Sequence, residues 1–375
     1  MDEAFLDEKL RERSESHALR TLQGQRGLAD YFSNDYLGIV KGGLIEDFIS
    51  TSQYPHGSTG SRLLSGNDPL MEEAEKEIAA FHETEAALIF NSGYDANFGL
   101  LSCIARKGDL ILYDQWVHAS LRDGISRSFA RSFSFTHNDL AALEKKLATH
   151  RTSDVKNCFV VTESIFSMDG DRAPLLDLMR LCEQYQAHCI VDEAHATGVV
   201  GTRGEGCVQT LGLQKKCLAR IHTFGKALGC HGAVIVGSRS LRNYLINFCR
   251  PFIYSTALPP ASVAAIRASY KIFPEMRAAR EAISKQIELF NHWGWEKSDT
   301  PIQCFGLSGN EAVKKISSLL ENHHLDARPI LYPTVPLGKE RIRITLHSFN
   351  RLEDTKHLIS LLDPYRSGGS RHSQG

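Results

Sequence analysis

The chain has 375 residues, 42% of them hydrophobic, and its 43 Lys and Arg against 44 Asp and Glu leave a formal net charge of −1. That length exceeds one typical core, so a large domain with a smaller companion is expected. The balanced charge excludes the basic face that nucleic acid or an anionic membrane selects, and no apolar run approaches the roughly 20 residues of a membrane span. The opening MDEAFLDEKL is acidic where a secretion signal is basic and then apolar. Nine scattered cysteines, an odd number without a CxxC pair, read as buried thiols in a reducing cytosol. No metal site follows from them.

The first strong pattern is MEEAEKEIAAFH, from residue 71, with apolar residues at helical spacing. AALIF (86–90) then reads as a buried strand and leads into NSGY. The same rhythm returns with LILYD (110–114), CFVVTES (158–164), HCIVDEAH (188–195), RIHTFG (220–225) and AVIVGS (233–238). Short, continuously apolar strands separated by helix-length segments predict an α/β fold whose mostly parallel central sheet is covered by helices on both faces. Ligands gather at the carboxyl ends of such strands. Beyond about residue 265, long helical stretches and short strands such as RIRITL predict a smaller α+β domain. The expected divisions are an N-terminal segment 1–45, a large domain 46–262, a small domain 263–365 and a Gly/Ser-rich disordered tail 366–375.

The residues just past the apolar runs carry the chemistry. DEAH (192–195) matches a helicase box, but the GxxxxGK[ST] loop that must accompany it is missing, since Lys226 is followed by Ala227 and lies after the box. The glycines 198, 201, 204 and 206 do not join a strand to a helix, and they read as a surface loop rather than a dinucleotide fingerprint. Asp192, closing the strand HCIV, either caps a turn or faces a cationic ring nitrogen, with His195 able to donate to an oxygen of the same ring. Ser92, Gly93 and Tyr94 stand where a strand turns into a helix, a place whose free amides suit a phosphate or simply begin a helix. His118 is either a hydrogen-bonded structural residue or a flat ring that stacks on a planar cofactor. Lys226, in TFGKALG, lies among small and apolar residues, where an ammonium is costly.

Together these parts answer the needs of pyridoxal 5′-phosphate: a lysine for its aldehyde, an acid for its ring nitrogen and a cup for its phosphate. In chain order, SNDYLG (33–38), GSTGSRLLSGN (57–67), FNSGYDAN, HAS (118–120), VTESIFSMDGD, VDEAHATGVVG, TFGKALG, IYSTALPPA (253–261) and PTVP (333–336) resemble the α-oxoamine synthases over roughly residues 18–360. The resemblance implies the aminotransferase-like fold (fold type I) and an acyltransferase that condenses L-alanine with pimeloyl-CoA or a pimeloyl carrier protein in biotin biosynthesis. A sister enzyme using glycine or serine with another acyl-CoA is the alternative.

It also implies roles. Lys226 carries the cofactor as a Schiff base, Asp192 pairs with its ring nitrogen, His195 and Ser167 lie near its phenolic oxygen, and His118 stacks on the ring. Ser92, Gly93, Tyr94 and Thr223 hold the phosphate, joined by Ser255 and Thr256 from the neighbouring subunit of a homodimer. Arg343, in RIRITL, grips the amino-acid carboxylate, while Arg20, Asn34 and Thr334 meet substrate. The segment QGQRGLADYF before SNDYLG is shorter than the family's usual hairpin. A cytoplasmic enzyme is expected, with neither nucleic acid nor membrane as partner.

Overall fold

The structure, a computed structural model, describes residues 3–22, 24, 27–49, 53–294 and 298–368. The expected tail from residue 366 thus falls mostly outside the described residues, and Asp363–Gly368 form a 3₁₀ helix. By contacts the chain divides into two compact units. One holds residues 37–167 and 171–278, the other residues 1–36, 168–170 and 279–375.

The larger unit is built on a seven-stranded sheet. Its spatial order is Ala86–Phe90, Ala233–Gly237, Cys217–Thr223, His188–Asp192, Cys158–Glu163, Leu110–Asp114 and Arg131–Phe135. The strands Ala86–Phe90 and Cys158–Glu163 are buried at every position, as a sheet covered on both faces requires. Six strands share one direction, and Ala233–Gly237 runs antiparallel to both of its neighbours. An uninterrupted apolar run reads the same in either direction, so that reversal is invisible in the sequence. Arg131–Phe135 is a seventh strand beyond those expected. It forms the edge, most of its side chains are exposed, and the segment RSFSF lacks the continuous apolar signal of the inner strands.

Register decides which strand ends meet. Phe90 and Thr223 both stand opposite Ala233, so their strands finish at one level. Glu163 stands opposite Asp192, and Asp192 opposite Ile221. Two helices start at this end of the sheet. Ser92 caps Gly93–Ile104 by accepting from the Asp95 N–H, and His118 caps Ala119–Arg127 by accepting from the Ser120 N–H. These helices pack closely, because a Cβ on Gly124 would lie 3.0 Å from the Phe98 Cα and carbonyl oxygen. A larger side chain there would lever His118 away from the sheet.

The glycine series after DEAH is not a surface loop. Gly198, Gly204 and Gly206 are buried, and close approach explains two of them. A Cβ on Gly198 (φ +85°) would meet the Ala227 Cβ at 2.7 Å, and one on Gly206 (φ +97°) would meet Glu193 Oε2 at 2.7 Å. Gly198 therefore lets the lysine loop seat against the DEAH turn.

The smaller unit holds a three-stranded antiparallel sheet in the order Arg328–Ile330, Arg341–Thr345, Ile302–Gly306. Ala29–Asp30 pairs with Leu325–Asp326 beside it. Phe305, Val313, Leu320, Ile342 and Leu358 pack in one buried cluster, each contributing about 1.5–3 kcal/mol of apolar burial. The sequence boundary at 262 falls inside the helix Pro260–Ile272, which packs on Pro69–Phe81 and stays with the larger unit.

Candidate active site

In the larger unit, Lys226 lies on a loop closed by three backbone bonds: Phe224 N–H to Gly232, Cys230 N–H to Phe224 and Gly229 N–H to Lys226. Phe224, Ala227 and Leu228 are buried, while Lys226 is half-buried. Its Nζ lies 2.9 Å from His195 Nε2. At that separation one nitrogen offers a hydrogen and the other a lone pair, so the pair does not carry two full cations. The sequence led to His195 as a donor to the cofactor's oxygen, and the structure adds a direct link to the lysine.

Asp192 is buried at 5% exposure. Its Oδ2 accepts from Asn97 Nδ2 at 2.7 Å and its Oδ1 from the Ala194 N–H at 2.8 Å. Beside it in register stands Glu163, whose Oε1 accepts the His118 N–H at 2.5 Å. Burial pushes the Glu163 carboxyl well up, and Asp192 adds to this against the opposing pull of Lys226 and the His118 N–H. Glu163 was readable in the sequence, since it closes the run CFVVT as Asp192 closes HCIV.

His118 presents its ring at the surface of this end of the sheet. Burial and Lys226 lower its pKa, while Asp192 and Asp123 oppose them. Its Nδ1 meets Ser120 Oγ at 2.8 Å and the Ser120 N–H at 3.2 Å. Asn97 Nδ2 reaches the same Ser120 Oγ at 3.0 Å.

Gly93 and Tyr94 occupy the first positions of their helix, where backbone N–H groups lack helical partners. A Cβ on Gly93 would meet nothing nearer than Thr223 Oγ1, at 3.5 Å. The Tyr94 phenol donates to Asp123, which leaves its N–H as the group available at the helix end. Ser167 is half-buried in the loop closed by the Ile165–Arg172 bridge. Thr256 bridges Ser61, and its carbonyl accepts from Asn91 at 2.8 Å, with Ser255 beside it.

In the smaller unit, Arg343 is buried at 8% exposure and donates to Thr345 Oγ1 at 2.9 Å and to Asn34 Oδ1 at 3.2 Å. The Tyr36 hydroxyl also donates to Asn34 Oδ1, at 3.2 Å. Burial holds that phenol up at about 12 against the opposing effect of Arg343. Arg20 donates to Thr334 Oγ1 at 3.1 Å, so two exposed residues expected to meet substrate touch each other. Residues 23, 25 and 26 of the shortened segment lie outside the described residues.

An amine beside an imidazole, a pinned carboxylate, a flat ring and an open helix start thus lie at one end of the larger unit's sheet. A family model described as aminotransferase class I and II matches residues 32–360. The 8-amino-7-oxononanoate synthase of Emericella nidulans is 37% identical over 363 residues, covering 89% of this chain and 88% of that one. Its counterpart in Lysinibacillus sphaericus is 34% identical over 368 residues, covering 96% and 94%. The solved 8-amino-7-oxononanoate synthase of Francisella tularensis matches with a TM-score of 0.76 at 28% identity, covering 90% of this chain and 97% of that one. A Sphingomonas wittichii serine palmitoyltransferase shares the fold, with a TM-score of 0.84 at 24% identity and coverage of 98% and 96%. The chain belongs to the aminotransferase class I and II family and, within it, to the 8-amino-7-oxononanoate synthases.

It is accordingly an acyltransferase-type enzyme whose cofactor is pyridoxal 5′-phosphate. The residues present fit that group. The open turn at Gly93 beside the Thr223 hydroxyl suits a phosphate, and the doubly hydrogen-bonded Asp192 suits a protonated ring nitrogen. Among the described residues no cluster of His, Cys, Asp and Glu could hold a metal, and no helix is long and apolar enough to cross a membrane.

Proposed function

We propose that the chain condenses L-alanine with a pimeloyl thioester, of CoA or a carrier protein, to give 8-amino-7-oxononanoate for biotin biosynthesis. The observation that carries this reading is the contact between Lys226 Nζ and His195 Nε2 beside the buried Asp192, in a chain whose relatives bear that name. Pyridoxal phosphate, when bound, supplies an aldehyde that takes up the amino acid's amine and a ring that draws electrons from its Cα.

The chain's residues do the rest. Lys226 removes the proton from alanine Cα, and His195 is placed to hold or return a proton at Nζ. With the cofactor bound, Asp192 would keep a proton on its ring nitrogen, His118 would lie against its ring, and Ser167 would orient its oxygen. The amides of Gly93 and Tyr94, with Ser92 and Thr223, would hold its phosphate. Arg343 takes the substrate carboxylate through its planar fork, and Asn34, Arg20 and Thr334 orient the acyl donor. In the overall reaction a bond forms between alanine Cα and the thioester carbonyl carbon and the C–S bond breaks, releasing thiol. The former alanine carboxylate then leaves as carbon dioxide, and a proton is added at Cα.

The enzyme is proposed to act in the cytoplasm as a homodimer in which Ser255 and Thr256 complete the phosphate cup of the second copy. The 72% exposure of Tyr254, next to them in the chain, supports a pairing surface there. The deciding experiment follows labelled carbon dioxide from carboxyl-labelled alanine, glycine or serine with pimeloyl-CoA. Release from alanine alone, with 8-amino-7-oxononanoate as product, is expected. Release from glycine or serine instead would assign the chain to a sister synthase.

A further inference from the structure

Two side chains that no role above has absorbed, Asn97 and Ser120, form a directed chain between Asp192 and His118. Asn97 is buried, its Nδ2 lies 2.7 Å from Asp192 Oδ2 and 3.0 Å from Ser120 Oγ, and Ser120 Oγ lies 2.8 Å from His118 Nδ1. The amide orientation follows from chemistry, because a carboxylate oxygen only accepts and so the atom facing it is the –NH₂. One amide hydrogen goes to Asp192 and the other to Ser120 Oγ. The Ser120 backbone N–H, which can only donate, already points at His118 Nδ1 from 3.2 Å. Nδ1 is therefore an acceptor, and the Ser120 hydroxyl sends its hydrogen there as well. Among the described residues, Asn97 Oδ1 is buried without a partner, so the amide is oriented by its –NH₂ contacts alone.

We propose that Asn97 and Ser120 are positioning residues that hold His118 as the neutral tautomer protonated on Nε2, and that tie this ring to Asp192 through one amide. The proposal rests on the pyridoxal-phosphate reading for its purpose, since a neutral ring stacks on a protonated cofactor ring without two cations in contact. The groups facing His118 are Asp192, Lys226 and Asp123, with Glu163 on its backbone N–H. Burial and Lys226 favour the neutral ring, while Asp192 and Asp123 favour its protonation. The directed chain adds to the first side.

The test is long-range proton–nitrogen NMR of the full chain labelled at histidine nitrogen, with and without pyridoxal phosphate. The His118 signals are identified by their loss in His118→Gln. The expected result is an unprotonated Nδ1 and a protonated Nε2 from pH 6 to 8 in both states. In Ser120→Ala the protonation equilibrium should shift about tenfold toward the cation, and Asn97→Ala should shift it in the same direction. A protonated Nδ1 in the unsubstituted protein would overturn the proposal, as would a His118 titration unchanged from the parent in both variants. Neither readout depends on turnover, so a failure to make 8-amino-7-oxononanoate would leave the tautomer result standing and would sink only the functional reading.

Discussion

Asp192 and Glu193 are neighbours in the chain and part of one DEAH turn, yet they serve opposite sides of it. Asp192 joins Asn97, His118 and Lys226 at the strand ends, where polar groups line up toward the proposed cofactor site. Glu193 is fully buried, accepts the Val208 N–H at 3.1 Å and occupies room that only Gly206 leaves it. Near it His82 and His222 stack with ring centres 3.8 Å apart, and Arg220 donates to the His82 carbonyl. The same residue types are thus spent twice. On one side, mixed charge and a half-buried lysine leave protons free to move. On the other, burial drives both histidines well below their usual range, with Arg220 acting in the same direction on each. That pair is set as neutral packing.

The largest effect expected on the active side is from Lys226→Ala. Product formation should fall by about 10²–10⁴-fold, the range for losing a positioned base, and the absorbance of lysine-bound cofactor should disappear while the fold persists. An active, coloured variant would break the distinction between the two clusters. Asp192→Asn comes next. It replaces an acceptor by an amide facing the Asn97 amide, and it should slow solvent exchange of the alanine Cα hydrogen roughly a hundredfold, the scale of removing one electrostatic partner. Unchanged exchange would show that Asp192, like Glu193, is only structural.

How much of this was legible follows from what each signal needs. Asp192, His118 and Lys226 could be found because each follows an apolar strand, and strand ends are where such sheets work. Glu163 obeys the same rule, closing the strand Cys158–Glu163. Asn97 and Ser120 sit inside helical segments, and their role exists only once Gly124 lets the two helices touch. The His82–His222 pair joins residues 140 positions apart in sequence, and no periodicity marks it. The edge strand Arg131–Phe135 lacks the burial that makes inner strands apolar.

The interior pair carries its own prediction. The folded histidines resist protonation while the unfolded ones take protons at about pH 6.5. Stability is therefore whole above that pH and is lost as pH falls below it, by about 1.4 kcal/mol per pH unit for each histidine. His222→Val should remove one share of that slope, read from urea midpoints between pH 7.5 and 5. The Thr197 hydroxyl, which donates to the Glu193 carbonyl at 2.8 Å, keeps a partner in that variant. An unchanged acid slope would show that the pair titrates freely and that the contrast with the active side is one of position alone.

A third histidine sharpens the comparison from the alkaline side. His137 lies between two carboxylates, with Nδ1 2.9 Å from Asp114 Oδ1 and Nε2 2.5 Å from Asp171 Oδ2, and stacks on Trp116 at 3.9 Å. Burial works to lower its pKa, but the hydrogen bonds to Asp114 and Asp171 outweigh it and hold the imidazolium up to about 9. Here the folded state binds the proton more tightly than the unfolded chain. The stabilisation is complete below about pH 6.5 and fades as pH rises through about 9. Solvent screening leaves about 1–2 kcal/mol of it, the smallest effect considered. His137→Gln should therefore lower the urea midpoint at pH 6 and converge with the parent protein by pH 10, the reverse of the profile expected for His222→Val. A deficit that persisted unchanged to pH 10 would assign His137 to packing against Trp116, and burial alone would then govern the histidines of this sheet outside the active side.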